Sequence, residues 1–134
     1  MTDTTPIATP SAPPAGPYTP GLVAGEWVFL AGQTGAGDTI EEQARDSLGK
    51  IDALLAVAGC APADVVSCLV HLADLSDFQR FNAMYEPHFP EPRPVRTTVG
   101  ASLLGGALVE ITAIARRESG KQAQPSPRFT RPES

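Results

Sequence analysis

The feature that most constrains the fold is a strand-like segment that is apolar on both sides. Residues 65–72 read Val-Val-Ser-Cys-Leu-Val-His-Leu, and side chains alternate between the two faces of a strand. The pattern places Val66, Cys68, Val70 and Leu72 on one face and Val65 and Leu69 on the other. A strand of this kind needs a covering layer on each side of its sheet.

Two helices are predicted. The first begins at Thr39, which has Glu42 three positions later in a capping box, and ends before Gly59. The second begins with a similar box at Ser76-Asp77-Phe78-Gln79. It carries an aromatic stripe at helical spacing, which we interpret as core and not as a ligand site: Phe78, Phe81, Tyr85 and Phe89.

Extended segments complete the order β-β-α-β-α-β-β. Residues 18–23 and 26–33 predict a hairpin around Ala24-Gly25, and residues 95–101 and 107–115 predict two strands across a Gly-Gly turn. This order indicates an α+β fold with a mixed sheet and two helices packed on one face. Since two helices cover only one face, we expect another subunit to bury the other.

The chain of 134 residues has room for one domain. Residues 1–14 are rich in Thr, Pro and Ala without periodicity, and we expect a flexible arm there, followed by the domain over 15–117 and a polar tail over 118–134. No apolar run reaches the roughly 18 residues of a membrane span, and the first residues lack signal-peptide features. We therefore expect a cytoplasmic protein without a membrane partner.

Several classes of site are not expected. Cys60 and Cys68 lack CxxC spacing and a ligand cluster, so neither a metal site nor a disulfide framework is predicted. His71 has no acidic partner that the sequence identifies, and it is left out of the predicted site. The net charge of −5 opposes nucleic-acid binding, and four of the seven basic residues after Pro92 lie beyond the last apolar run.

Two charged residues within apolar strands are the candidates for chemistry. Arg96 follows Val95, and Glu110 lies between Val109 and Ile111, where a charge costs free energy unless it is paired or used. Spacing alone favours a structural interpretation, in which Glu110 points to water or pairs with Arg96. In the functional alternative, Arg96 binds a planar anion bidentately and Glu110 is a general acid and base.

Short motifs then occur in a familiar order. They are GPYTPG at 16–21, AGQ at 31–33, EQAR at 42–45, the aromatic stripe of 78–89, PVR at 94–96 and VEI at 109–111. Over residues 9–116, this ordered set resembles the RidA/YjgF/UK114 family of reactive-intermediate deaminases. The resemblance implies a chorismate-mutase-like fold, without a cofactor, in a homotrimer whose sheets face a central barrel and whose active sites lie between subunits.

The resemblance also implies roles for individual residues. Arg96 matches the arginine that binds the carboxylate of an imine or enamine such as 2-aminoacrylate, 2-iminopropanoate or 2-iminobutanoate. Glu110 matches the glutamate that activates water, so that the products are a 2-oxo acid and ammonia. Tyr18 would form the aromatic wall of the cleft, and Gly32 and Thr98 would contribute backbone contacts to substrate.

Departures from the family pattern leave the substrate open. Ala31 stands where members often have serine, and Thr19-Pro20-Gly21 changes the sequence after the tyrosine. The segment 102–105 is one residue short before Glu110, and the loop 34–39 is also short. The alternatives are a trimer specialised for a different imine or enamine in a biosynthetic pathway, and a non-catalytic regulatory protein that binds 2-oxo acids.

Overall fold

The computed structural model describes residues 3–118, which form two helices and seven strands. The elements are β1 (Thr4–Ile7), β2 (Gly21–Ala24), β3 (Trp27–Leu30), β4 (Gln33–Thr34), α1 (Ile40–Val57), β5 (Val65–Leu72), α2 (Phe78–Tyr85), β6 (Val95–Gly100) and β7 (Val109–Arg116). One sheet has the order β1-β2-β3-β7-β5-β6, and β4 also pairs with β7. The β5–β6 pair is parallel and the others are antiparallel. The predicted α+β class with a mixed sheet is confirmed.

The first helix, α1, begins and ends where the sequence predicts. The Thr39 hydroxyl accepts a hydrogen bond from the Glu42 backbone N–H at 3.1 Å, while the Glu42 carboxylate accepts one from the Asp38 N–H at 2.7 Å. Gly59 follows the helix with a φ of 79°, as a left-handed residue at this point requires. The apolar residues of the predicted stripe are all buried: Ile40, Ala44, Leu48, Ile51, Leu55 and Ala58.

The second helix, α2, starts differently from the prediction. A 3-10 turn covers Leu75–Asp77, and the carboxylate of Asp74 caps it by accepting the N–H of Ser76 at 2.9 Å. The predicted capping box at Ser76 is wrong because this earlier carboxylate already satisfies the turn. Three members of the aromatic stripe are buried in the core as predicted: Phe81, Tyr85 and Phe89.

The doubly apolar strand is β5, which lies between β7 and β6. Its pairing with β7 contains a bulge between Val65 and Ser67, and a bulge shifts the alternation of the side chains that precede it. Val65 is therefore buried on the same face as Cys68 and Val66 is exposed on the other, so the two residues exchange the faces that the sequence predicts. From Cys68 to Leu72 the alternation follows the prediction, because the pairing there is regular.

Within residues 3–118, only one face of the sheet is covered. The covered face packs against the helices through buried side chains that include Val28, Leu30, Cys68, Val70, Ile111 and Ala113. The opposite face, here called the open face, exposes large apolar side chains: Leu22, Trp27, Phe29, Leu69, Val95 and Val99. A contiguous apolar surface of this kind is typical of an interaction site.

The N-terminal segment contains a strand where the sequence predicts none. Thr4–Ile7 pairs with β2 along the whole of that strand, and Ile7 is buried. Gly21 makes room for it, because a Cβ at Gly21 would lie 2.8 Å from the Ile7 side chain. The expectation of an unstructured arm fails here because the free backbone edge of β2 supplies partners that hydrophobic periodicity does not reveal.

The tail predicted over 118–134 lies outside the described residues from 119 onward, so this boundary stays a prediction. Among residues 3–118, no helix is long and apolar enough to cross a bilayer.

Two polar side chains of α1 hold the irregular backbone beside the sheet. The buried Ser47 donates its hydroxyl to the carbonyl of Gln33 at 2.8 Å. Gln43 donates to the carbonyl of Gly37 at 3.0 Å and accepts the N–H of Leu108 at 2.8 Å. These bonds satisfy backbone groups that leave the strand pattern near β4 and before β7. The helix thus holds the chain just before β7 and the segment around β4, which pairs with β7 at Glu110.

We predict that an ion pair between the helices makes stability depend on acid pH. Arg80 of α2 donates two hydrogen bonds to Glu41 of α1, at 2.7 and 2.8 Å, and this bonding lowers the pKa of Glu41 to about 2. A carboxyl whose pKa is lower in the folded than in the unfolded protein stabilises the fold at any pH above its unfolded-state pKa, which is about 4.3 for glutamate. This stabilisation is lost as the pH falls from there through the folded-state pKa.

Glu41→Gln should therefore lower the urea midpoint at neutral pH, and the difference from wild type should shrink as pH falls from about 4 to about 2. In an Arg80→Gln background, the effect of Glu41→Gln on the urea midpoint should depend much less on pH over this range, since the Glu41 carboxylate has lost its partner there. A difference from wild type that stays constant over this range would contradict the prediction.

Candidate active site

Arg96 lies in β6 opposite Cys68 of β5, so its side chain extends over the covered face. The guanidinium carbon is 4.6 Å from the centre of the Tyr85 ring, 5.6 Å from that of Phe78 and 5.7 Å from that of Phe81. Rings at these distances stabilise a cation through their negative faces. Three residues of the aromatic stripe, Phe78, Phe81 and Tyr85, therefore form a cage around Arg96. Phe78 is exposed, so its prediction as core is wrong.

No carboxylate within residues 3–118 pairs with Arg96, whereas Arg80, Arg93 and Arg116 each have a carboxylate partner. The structural ion pair between Arg96 and Glu110 that the sequence left open is therefore not formed. A guanidinium held by aromatic rings keeps its planar fork of N–H donors available. Such a fork matches the two oxygens of a carboxylate.

A pocket of about 320 Å³ opens beside Arg96; its lining residues are Asn82, Tyr85, Glu86, Arg93, Pro94 and Arg96. The Oδ1 atom of Asn82 is buried and has no hydrogen-bond partner in the described part of the chain. An acceptor without a partner costs free energy, which a bound N–H donor would recover. Asn82 was missed as a site residue, although it follows Phe78 by four positions and so shares its helix face.

Tyr85 and Cys68 lie beneath the Arg96 guanidinium and are both buried. Burial raises the pKa of the Cys68 thiol, and burial together with the Cys68 contact raises the pKa of Tyr85. Both groups are therefore neutral at physiological pH. Neither compensates the positive charge of Arg96.

Glu110 lies in β7 opposite His71 of β5 and Thr34 of β4, on the open face. A Cβ added to Gly32 would lie 2.8 Å from Glu110 Cδ and 2.9 Å from Oε2, so the carboxylate packs directly on the Gly32 backbone. Its other oxygen, Oε1, is 3.8 Å from Nδ1 of His71. The sequence identified no acidic partner for His71, whereas the register of β5 and β7 gives it an acidic neighbour.

Tyr18 lies in an exposed loop before β2, where its hydroxyl accepts the N–H of Ala15 at 3.1 Å. The end of this loop is fastened beside Gly32, because the N–H of Ala31 donates to the carbonyl of Pro20 at 2.8 Å. The structure thus attaches the loop that carries Tyr18 to the segment that supports Glu110.

The predicted site residues fall into two groups on opposite faces of the sheet. Thr98 follows Arg96 by two residues in β6 and so shares its face. Glu110 pairs with His71, and His71 is three residues along β5 from Cys68, the partner of Arg96. An odd separation along a strand changes the face. One chain therefore does not bring Arg96 and Glu110 around a single ligand.

The fold and site define an α+β protein with an unpaired, ring-caged arginine on one sheet face and a carboxylate on the other. The model of the Endoribonuclease L-PSP family matches residues 9–117, and the chain belongs to this family, which includes the YjgF and RidA proteins. The resemblance drawn from the sequence motifs is confirmed.

Relatives and solved structures agree with this assignment. The chain is 41% identical over 123 residues to a RutC family protein of Pyrococcus horikoshii (84% of this chain, 97% of the relative). It is 40% identical over 123 residues to the 2-iminobutanoate/2-iminopropanoate deaminase of Salmonella typhimurium (83% and 96%). The structure of yeast Mmf1 has a TM-score of 0.82 at 30% identity, covering 87% of this chain and 100% of Mmf1.

We predict that Gly32→Ala displaces the Glu110 carboxylate. The new Cβ would lie 2.8 Å from Cδ, whereas a Cβ at Gly49 in α1 would meet nothing within 4 Å. A crystal structure of Gly32→Ala should show the carboxylate moved by about 1 Å, since carbon atoms pack at about 3.5–4.0 Å. The matched control, Gly49→Ala, should leave Glu110 in place and raise the free energy of unfolding by about 0.5–1 kcal/mol. An unmoved carboxylate in Gly32→Ala would show that the contact is not tight.

Proposed function

We propose that the protein hydrolyses small 2-imino acids, and the enamines that interconvert with them, to 2-oxo acids and ammonia. The observation that carries this proposal is Arg96, a ring-caged guanidinium beside a pocket of about 320 Å³ and without a carboxylate partner in residues 3–118. Each charge-assisted hydrogen bond to a substrate carboxylate would contribute about 1.5–3 kcal/mol. The deaminase named among the relatives supports the same substrate class.

Glu110 supplies the proton transfers in this proposal. The carbon of a protonated imine is electrophilic, so the reaction needs mainly a water molecule that is oriented and deprotonated. Glu110 takes a proton from water as the C–O bond forms, and gives it to nitrogen. It then takes the hydroxyl proton as the carbonyl forms and the C–N bond breaks, and ammonia leaves with that proton as ammonium. The carboxylate ends in its starting form.

We infer further that two copies of the chain form each complete site, because Arg96 and Glu110 lie on opposite faces of one chain. The open face gives a reason for association: it exposes Phe29, Leu69 and Val95, the last of them 71% accessible. Burying apolar surface of this kind contributes about 25 cal/mol per Å² to the free energy of association. Because β6 is the edge strand of the sheet, a closed homotrimer built on the open faces would bring Arg96, at the edge of one copy, to the cleft that Glu110 of the next copy borders.

Loss of either charged residue should strongly reduce the rate of imine hydrolysis. We propose an assay in which an amino-acid oxidase releases 2-iminopropanoate or 2-iminobutanoate in situ, and formation of the 2-oxo acid is followed above the rate in buffer. Arg96→Ala should lower kcat/KM by about 10²–10⁴-fold through the loss of two charge-assisted bonds. Glu110→Gln should lower kcat strongly because glutamine accepts no proton.

Matched controls are Arg80→Ala and Glu41→Gln, which change the same residue types in the exposed ion pair between the helices. Both should retain wild-type kinetics. No acceleration by wild type, or full activity in Arg96→Ala, would overturn the proposal. Saturable binding of 2-oxo acids without turnover would indicate the regulatory alternative, and preference for bulky imines would indicate a specialised deaminase.

Mixing two inactive variants should restore activity if sites are shared between copies. When Arg96→Ala and Glu110→Gln chains are coexpressed in equal amounts, about a quarter of the sites in a random closed ring should combine an intact Arg96 with an intact Glu110 from the neighbour. Activity should recover to about that fraction of wild type. The controls are assemblies that contain only Arg96→Ala chains or only Glu110→Gln chains. If the mixed assemblies recover no activity, Arg96 and Glu110 of one copy act in the same site.

A further inference from the structure

His71 is a polar side chain on the open face that the proposed reaction does not yet use. Its Nδ1 atom is 3.8 Å from Oε1 of Glu110. This nitrogen is buried and has no hydrogen-bond partner among residues 3–118, although 26% of the side chain as a whole is accessible. Because a buried ring nitrogen without a partner costs free energy, its place beside the Glu110 carboxylate calls for a physical explanation.

Glu110 is the charged neighbour of His71 among the residues that face it on the sheet. In the flanking strands, the residues opposite His71 are Glu110 in β7 and Val99 in β6, and Leu69 precedes it on the same face of β5. Thr34 of β4 lies on the far side of Glu110. The helices pack on the other face of the sheet. Of these facing groups, only Glu110 is titratable or charged.

The two oxygens of the Glu110 carboxylate meet different neighbours. Oε2 lies against the backbone of Gly32, whereas Oε1 faces Nδ1 of His71. The separation of 3.8 Å exceeds the roughly 2.7–3.2 Å of an N–H···O hydrogen bond, so a bond requires the two atoms to approach by about 0.6–1.1 Å. A bond at Oε1 would stop rotation of the carboxylate about Cγ–Cδ and fix the direction of Oε2.

We propose that His71 is a positioning residue for Glu110, an inference that rests on the proposed function. Nδ1–H of the neutral imidazole donates to Oε1 and leaves Oε2 to exchange protons with water and the imine nitrogen. His71 acts through Glu110 and needs no contact of its own with the substrate.

The tautomer of His71 tests the pairing without reference to activity. An acceptor beside Nδ1 selects the neutral tautomer that is protonated there. We expect ¹⁵N NMR of wild type to show His71 protonated on Nδ1, and Glu110→Met, which removes the acceptor at similar volume, to shift the population to the Nε2–H form. His88, whose Nε2 is 2.9 Å from Asp52 Oδ1, is the internal control and should not change. The same His71 tautomer in both proteins would overturn the pairing.

Steady-state kinetics test the positioning role. His71→Leu should lower kcat about tenfold, the effect of losing one hydrogen bond to a charged group, with KM within about twofold of wild type because Arg96 is untouched. His71→Asn, whose side-chain N–H lies near the position of Nδ1, should recover most of kcat. His88→Leu, the matched control, should leave kcat unchanged. Full activity in His71→Leu, or no rescue by asparagine, would overturn the role.

The two measurements separate this inference from the proposed function. If wild type hydrolyses the imine but the His71 tautomer is the same with and without Glu110→Met, the His71 inference is overturned and the proposed function is not. A wild type with the expected tautomer but without imine hydrolysis would overturn the proposed function, and the positioning role with it, while the side-chain pairing would stand.

Discussion

The alternation of side chains along β5 is the constraint on which the rest of the site depends. Cys68 and His71 are an odd number of residues apart, so their neighbours across the sheet, Arg96 and Glu110, project from opposite faces. Separation by the sheet prevents these opposite charges from neutralising each other in an internal ion pair. Each charge therefore remains available to a ligand.

The two charges are stabilised by different means. Arg96 lies over rings of α2 and above two neutral groups, Tyr85 and Cys68, whose raised pKa values keep them uncharged. A substrate carboxylate would not have to displace a protein carboxylate from this guanidinium, so its binding would carry no exchange cost. Glu110 is instead half-buried against the backbone of Gly32, on the sheet face that the helices do not cover.

Features with local signals could be predicted from the sequence, and features set by distant partners could not. The limits of α1 follow from Thr39 and Gly59, which act on backbone within a few residues. The strand at Thr4–Ile7 depends on the edge of β2, and the reversed orientation of Val65 depends on a bulge against β7. In the site, Arg96 and Glu110 stood out as charges within apolar strands. The spacing of residues in the sequence does not predict the strand register that places His71 beside Glu110, and it does not predict the packing of α2 over Arg96.

Gln43 links two separate stretches of chain through one side chain, since its amide bonds the carbonyl of Gly37 and the N–H of Leu108. The loop 34–39 and the turn 102–106 lie beside these two anchor points. One side chain of α1 therefore holds a point in the first segment and a point just after the second. Insertions or deletions in either segment that keep Gly37 and Leu108 at Gln43 would leave both hydrogen bonds intact, and with them the position at which the chain enters β7.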